Sequence, residues 1–158
     1  MSRILVLVII LVLQGCGESQ EPCGEARRYY EINNVTICPV SMINLIATPE
    51  KYDGKVVSVT GFYARGFELS GLFFHKDDLL IRNKFNALWV NTSSDDSLRN
   101  WVPEKGSMNE EWLANLVSEK DASGNYVSAI GVFRAGAAGH LGAFSGELKL
   151  MVDLELVK

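Results

Sequence analysis

A mainly β fold, closing as a small five-stranded barrel with one helix between its third and fourth strands, is predicted by three features of this sequence. From Lys55 onward the chain carries β-branched runs that alternate apolar and polar residues, the period of a half-buried strand. Two of these runs, Val57-Ser58-Val59-Thr60-Gly61-Phe62-Tyr63 and Val127-Ser128-Ala129-Ile130-Gly131-Val132-Phe133, each hold a central glycine. Two neighbouring strands bent at a glycine are what closure of a small barrel requires. Between them lies a single long helical pattern.

The elements follow in order. Ser41 can cap a short helix with Met42, Leu45 and Ile46 on one face, which Pro49 would stop. Tyr52-Asp53-Gly54-Lys55 turns the chain into a first strand over 55–68. Residues 71–75 and 86–91 read as the second and third strands. Turn-forming and charged residues over 91–97 then break the pattern. Ser107 with Glu110 makes a capping box, and Met108, Trp112, Leu113, Leu116 and Val117 form the apolar stripe of a helix. Residues 121–125 end it, and 126–136 and 144–157 supply the last two strands.

This β-β-β-α-β-β order resembles the OB-fold, a five-stranded Greek-key barrel. The stretches 45–62, 86–90 and 126–148 are similar to segments of bacterial OB-fold proteins of the tRNA-anticodon-binding-like type, a resemblance that spans 41–157. It implies a ligand face on the outer side of strands two and three, flanked by the loops joining strands one to two and four to five. It implies no catalytic residues.

The start of the chain carries a different signal. Arg3 precedes an unbroken apolar run from Ile4 to Leu13, the layout of a secretory leader and too short to span a bilayer. Leu13-Gln14-Gly15-Cys16 resembles the bacterial lipobox, with Gln14 where a small or aliphatic residue is usual. That resemblance implies cleavage before Cys16 and its lipidation; plain secretion is the alternative. Gly17, not aspartate, follows the cysteine, which under the enteric sorting rule implies the outer membrane, facing the periplasm. The expected organisation is a leader over 1–15, a lipidated tether and disulfide segment over 16–40, and a barrel domain over 41–158.

With the first 15 of 158 residues removed, 143 remain, one domain in size. Loss of Arg3 from the 15 basic residues leaves 14 against 19 acidic, a formal charge of −5. An acidic domain lacks the footprint of a nucleic-acid binder. Cys23 and Cys38 are then an even pair in an oxidising compartment, and a disulfide is expected between them. Neither His nor Cys lies between them to suggest a metal instead. Arg27, Arg28, Tyr29 and Tyr30 in this segment suggest a helical turn or a partly exposed lobe.

Candidate binding residues come from strand alternation. If Leu72, Phe74, Leu88 and Val90 fill the barrel, then Phe73, His75 and Trp89 form an outer aromatic platform. The flanking loops add Arg65, Phe67 and Glu68 from one side and His140 from the other. The competing reading has the opposite register, or has the N-terminal disulfide lobe cover Phe73 and Trp89 as further core. His75 and Asp77 share a face and could suggest a metal, but two ligands fall short of a structural site; a solvated strand end explains them better, and no metal or other cofactor is expected. Asn34-Val35-Thr36 and Asn91-Thr92-Ser93 match the glycosylation pattern only incidentally in a bacterial lipoprotein.

The stretch Gly139 to Leu148 holds His140 and Ser145 among three glycines. A hydrolytic pair needs an acid in reach and a strained nucleophile turn, and neither is visible. A hairpin that must turn sharply accounts for these glycines. The expectation is therefore a non-enzymatic, lipid-anchored envelope protein whose barrel binds a protein, peptide or glycan. The alternatives are an inhibitor of a cell-wall hydrolase that uses loop 135–143 as a plug, and a small hydrolytic enzyme.

Overall fold

Gly61 and Gly131 sit where strands change partners, and that exchange closes the barrel. A computed structural model describes residues 22–23, 29–92 and 114–157. Strands β1 (Tyr30–Ile32) and β2 (Val35–Pro39) form a hairpin, followed by helix α1 (Met42–Ala47). Then come β3 (Val56–Gly66), β4 (Leu69–Phe73), helix α2 (Lys76–Leu80) and β5 (Ala87–Asn91). A two-residue strand β6 (Leu116–Val117) and helix α3 (Glu119–Ala122) lead to β7 (Tyr126–Ala138), β8 (Phe144–Leu150) and β9 (Leu154–Leu156).

The barrel order is β3-β4-β5-β8-β7, and β7 returns to pair with β3. All contacts are antiparallel except β5 with β8, which runs parallel from Trp89 opposite Glu147 to Asn91 opposite Lys149. The mainly β, OB-like five-stranded barrel expected from the sequence is present. The first part of β3 pairs with β7, and from Phe62 onward it pairs with β4. A β carbon on Gly61 would lie 2.6 Å from the Phe73 carbonyl oxygen and 2.9 Å from Met42 Cε. Only glycine lets the neighbouring chain come so near.

Alternation then fills the interior. Val57, Val59 and Tyr63 of β3 meet Leu72, Leu88, Val90, Val127, Ala129, Phe133 and Leu148 in the main core, and Met42 and Leu45 of α1 join it. Ser41 caps α1 as expected, its hydroxyl accepting from the Asn44 N–H. Cys23 and Cys38 are bridged, with Cα atoms 5.3 Å apart, and both are buried in this core. A separate cluster of Ile32, Ile37 and Ile130 seats the β1–β2 hairpin outside the barrel.

Several elements differ from expectation. Of the two readings of the 27–30 segment, the partly exposed one agrees for Tyr29 and Tyr30, while Arg27 and Arg28 lie outside the described residues. Tyr30 opens a strand rather than a helical turn, because Asn33 (φ 49°) and Asn34 (φ 61°) make the left-handed two-residue turn of a tight hairpin. Leu116 and Val117 belong to β6, paired with β9, not to a helix stripe. Ser107, Met108, Glu110, Trp112 and Leu113 lie outside the described residues, as do Cys16 and the leader. The last strand is broken at Met151–Asp153, after which β9 pairs with β7 and β6.

Candidate binding site

The outer face of β4 and β5 is covered by the protein's own β7–β8 hairpin. Register slips between Ala135 and Ala138, and such an irregularity bends a strand. The bend carries Phe144 onto the outer face, its ring 5.4 Å from Trp89 and 6.2 Å from Phe73, edge-on to both. Phe62, Ala64, Phe73, Ala87 and Phe144 thereby form a second core, with Trp89, Tyr126 and Leu79 packed against it. Gly71 leaves the space that Phe144 enters, since a β carbon there would be 2.9 Å from its ring.

The expected platform of Phe73, His75 and Trp89 is therefore corrected. Phe73 does point away from Leu72, as alternation requires, but it is fully buried. Trp89 is half-buried. Phe74, expected inside, is 45% exposed because β4 ends at Phe73 and the alternation ends with it. What covers the platform is the β7–β8 hairpin and the 74–86 segment, not the disulfide lobe. Leu72, Leu88 and Val90 do fill the barrel.

His75 is neither on a strand nor in a platform. Its Nδ1 accepts the Asp77 N–H while Asp78 Oδ2 accepts the His75 N–H, so the pair caps α2. Its ring lies 6.1 Å from that of Tyr126. Among the described residues no group of three or more His, Cys, Asp or Glu side chains could hold a metal.

The remaining candidates meet at the two hairpin tips. His140 Nε2 lies 3.3 Å from Glu68 Oε2, joining the β7–β8 tip to the β3–β4 tip. Beside this contact Phe67 is 92% exposed and Leu141 is 89% exposed. Glu68 (φ 52°) and Leu141 (φ 57°) both adopt left-handed backbone, a conformation that costs a non-glycine residue free energy. Below them opens a cleft of about 310 Å³ lined by Arg65, Glu68, Leu69, Ser70, Trp89 and Asn91. Arg65 is paired with Glu119 of α3 at 2.8 Å, and Asn91 donates to Glu147 at 2.6 Å.

Leu141 is the exposed residue that sequence reasoning misses, in a loop whose evident features are histidine, serine and glycine. A large apolar residue between glycines in a polar-expected turn was the signal. Ser145 and His140 have separate partners: the Ser145 hydroxyl donates to the Phe85 carbonyl at 2.7 Å, and His140 meets Glu68. His75 and His140 contact different carboxylates, Asp77 and Glu68. Ser70, which lines the cleft, is hydrogen-bonded to Tyr63 behind it; burial raises the Tyr63 phenol above its usual value, partly offset by that bond. Compared with family models, with curated proteins and with solved structures, the chain finds no match.

Proposed function

We propose that this is a non-enzymatic, lipid-anchored envelope protein that binds a protein, peptide or glycan partner at the joined hairpin tips. One observation carries the reading: Phe67 and Leu141, the two most exposed large apolar side chains among the described residues, stand beside each other's hairpins on strained tips braced by Glu68 and His140. Exposed apolar side chains on a rigid frame are what a partner surface buries. The cleft beneath has Trp89 at its wall and, at its edge, Arg65 and Asn91 fixed by Glu119 and Glu147.

The anchoring part rests on the lipobox-like 13–16 stretch alone. Metabolic palmitate label on the wild-type chain should vanish with Cys16→Ser, and label retained on that variant overturns the anchor. For the binding part, a photo-crosslinking residue placed at 67 or 141 should capture a partner in intact envelopes. Phe67→Ala with Leu141→Ala should abolish capture from a probe at position 66 without moving the melting temperature. Unchanged capture removes the tips from the site. A plug-type hydrolase inhibitor, the second reading, would lose inhibition when loop 135–143 alone is exchanged.

A further inference from the structure

At the turn from α2 to β5, three large apolar side chains stand in solvent within six residues. Ile81 is 73% exposed and Phe85 is 76% exposed, and Leu80 is also exposed. Lys76 and Arg82 are exposed beside them, and Lys84 is half-buried with its ammonium 5.4 Å from the centre of the Phe144 ring. Of the two acids here, Asp78 is turned inward and only Asp77 is exposed. The exposed charge of this turn is therefore positive, on a chain whose formal charge is −4.

The turn is built to hold that shape. The buried Asp78 carboxylate accepts from Asn83 Nδ2 at 3.0 Å, Asn86 Nδ2 at 2.9 Å and the His75 N–H at 3.1 Å. Arg82 is held in the left-handed region, at φ 58°, a conformation an arginine adopts only when its surroundings impose it. Apolar side chains fixed in solvent next to cations match the two layers of a bilayer surface, acyl boundary and anionic headgroup.

The position of the tether agrees. Cys23 is stapled to Cys38, which leads through Pro39 into α1. Helix α1 presents Ile43 to solvent and lies against the 84–86 turn, and a groove between Val40 and Phe74 joins the two segments. The N-terminal arm thus meets the barrel on the side that carries the patch. From Cys16 to Cys23 a fully extended chain spans about 25 Å, so an anchor at Cys16 would hold this side near the membrane.

We infer that the turn 76–86 docks on an anionic bilayer surface, with Leu80, Ile81 and Phe85 at the acyl boundary and Lys76, Arg82 and Lys84 against headgroup phosphates. The contact is interfacial, and among the described residues no helix is long and apolar enough to cross a membrane. The tether argument rests on the anchoring reading above; the patch and its charge do not.

The test uses the chain from residue 16 with Cys16→Ser, exported behind an unrelated cleavable leader. All three buried clusters lie after Pro22, so this chain keeps its described core. It is sedimented with vesicles of phosphatidylcholine alone, or of equal parts phosphatidylcholine and phosphatidylglycerol. Binding to the mixed vesicles should be about tenfold tighter. Ile81→Glu with Phe85→Glu should abolish it, Arg82→Ala with Lys84→Ala should erase the preference for anionic lipid, and Phe67→Glu should leave both unchanged. The proposal is overturned by absence of binding to mixed vesicles, by binding that neither pair of substitutions weakens, or by a lipid-free dimer that Ile81→Glu with Phe85→Glu splits. Mass spectrometry of the full chain scores the anchor separately: an unlipidated Cys16 sinks that reading and leaves the vesicle result to be judged alone.

Discussion

Gly139 approaches Trp89 so closely that a β carbon on the glycine would lie 2.6 Å from indole Cε3 and 2.7 Å from Cδ2. With φ at +71°, the glycine also holds a backbone that side chains resist. Gly139→Ala should therefore cost about 2 kcal/mol or more, through strain and collision together. Trp89→Ala should itself cost about 2–4 kcal/mol, since the indole packs on Phe144. In a double-mutant cycle by urea denaturation, Gly139→Ala should cost less once Trp89 is gone. Additive losses would mean that strain alone matters.

Asp78 anchors the turn that presents Ile81 and Phe85. Asp78→Ala leaves the Asn83 and Asn86 amides and the His75 N–H without their acceptor, and should lower stability by about 2–3 kcal/mol. Amide exchange should rise across 75–86 while the barrel strands keep their protection. Loss confined to the barrel would contradict this role.

Alkaline pH should weaken the fold. Burial raises the phenols of Tyr63 and Tyr30 above the usual value of 10.0, so ionisation is harder in the folded chain than in the unfolded one. Stability should hold below pH 10 and fall as pH climbs from there through the folded-state values. Tyr63→Phe should flatten the decline, as read from denaturant midpoints between pH 8 and pH 11; an unchanged slope would assign the effect elsewhere.

Reduction of the Cys23–Cys38 bridge should cost about 3 kcal/mol, from the freedom returned to the unfolded loop. Thiol counting on the native protein should find neither sulfur until a reductant is added. The β1–β2 hairpin should then fray first, because besides the bridge what seats it is the cluster of Ile32, Ile37 and Ile130 and a short parallel pairing of Cys38 and Pro39 with β3.

Barrel strands were legible because their signals are local. Alternation sorted Leu72 from Phe73 and Leu88 from Trp89, and central glycines marked the partner exchange at Gly61. Which outer residues stay exposed was not legible, because it depends on where the β7–β8 hairpin, far later in the chain, folds back. Phe144 is an ordinary strand residue in the sequence, and only the register slip after Ala135 sends it over Phe73. The cap of α2 was hidden by its chemistry, a histidine and an aspartate in place of the usual hydroxyl and glutamate. The Asn33-Asn34 turn does carry a local signal, two adjacent asparagines that accept left-handed backbone.

The closing seam of the barrel joins β3, near the start of the domain, to β7, near its end, from Val56 opposite Val132 to Phe62 opposite Tyr126. Such pairing has high contact order, and the entropy of closing that long loop must be met before the seam contributes. The β3–β4–β5 meander can form early from neighbouring segments, but it remains an open sheet with two free edges until β7 and β8 arrive. Folding should therefore be slow for a chain of this length. Val57→Ala and Val127→Ala, which remove buried core side chains opposite Gly131 and Gly61 along the seam, should raise the unfolding rate more than they lower the folding rate.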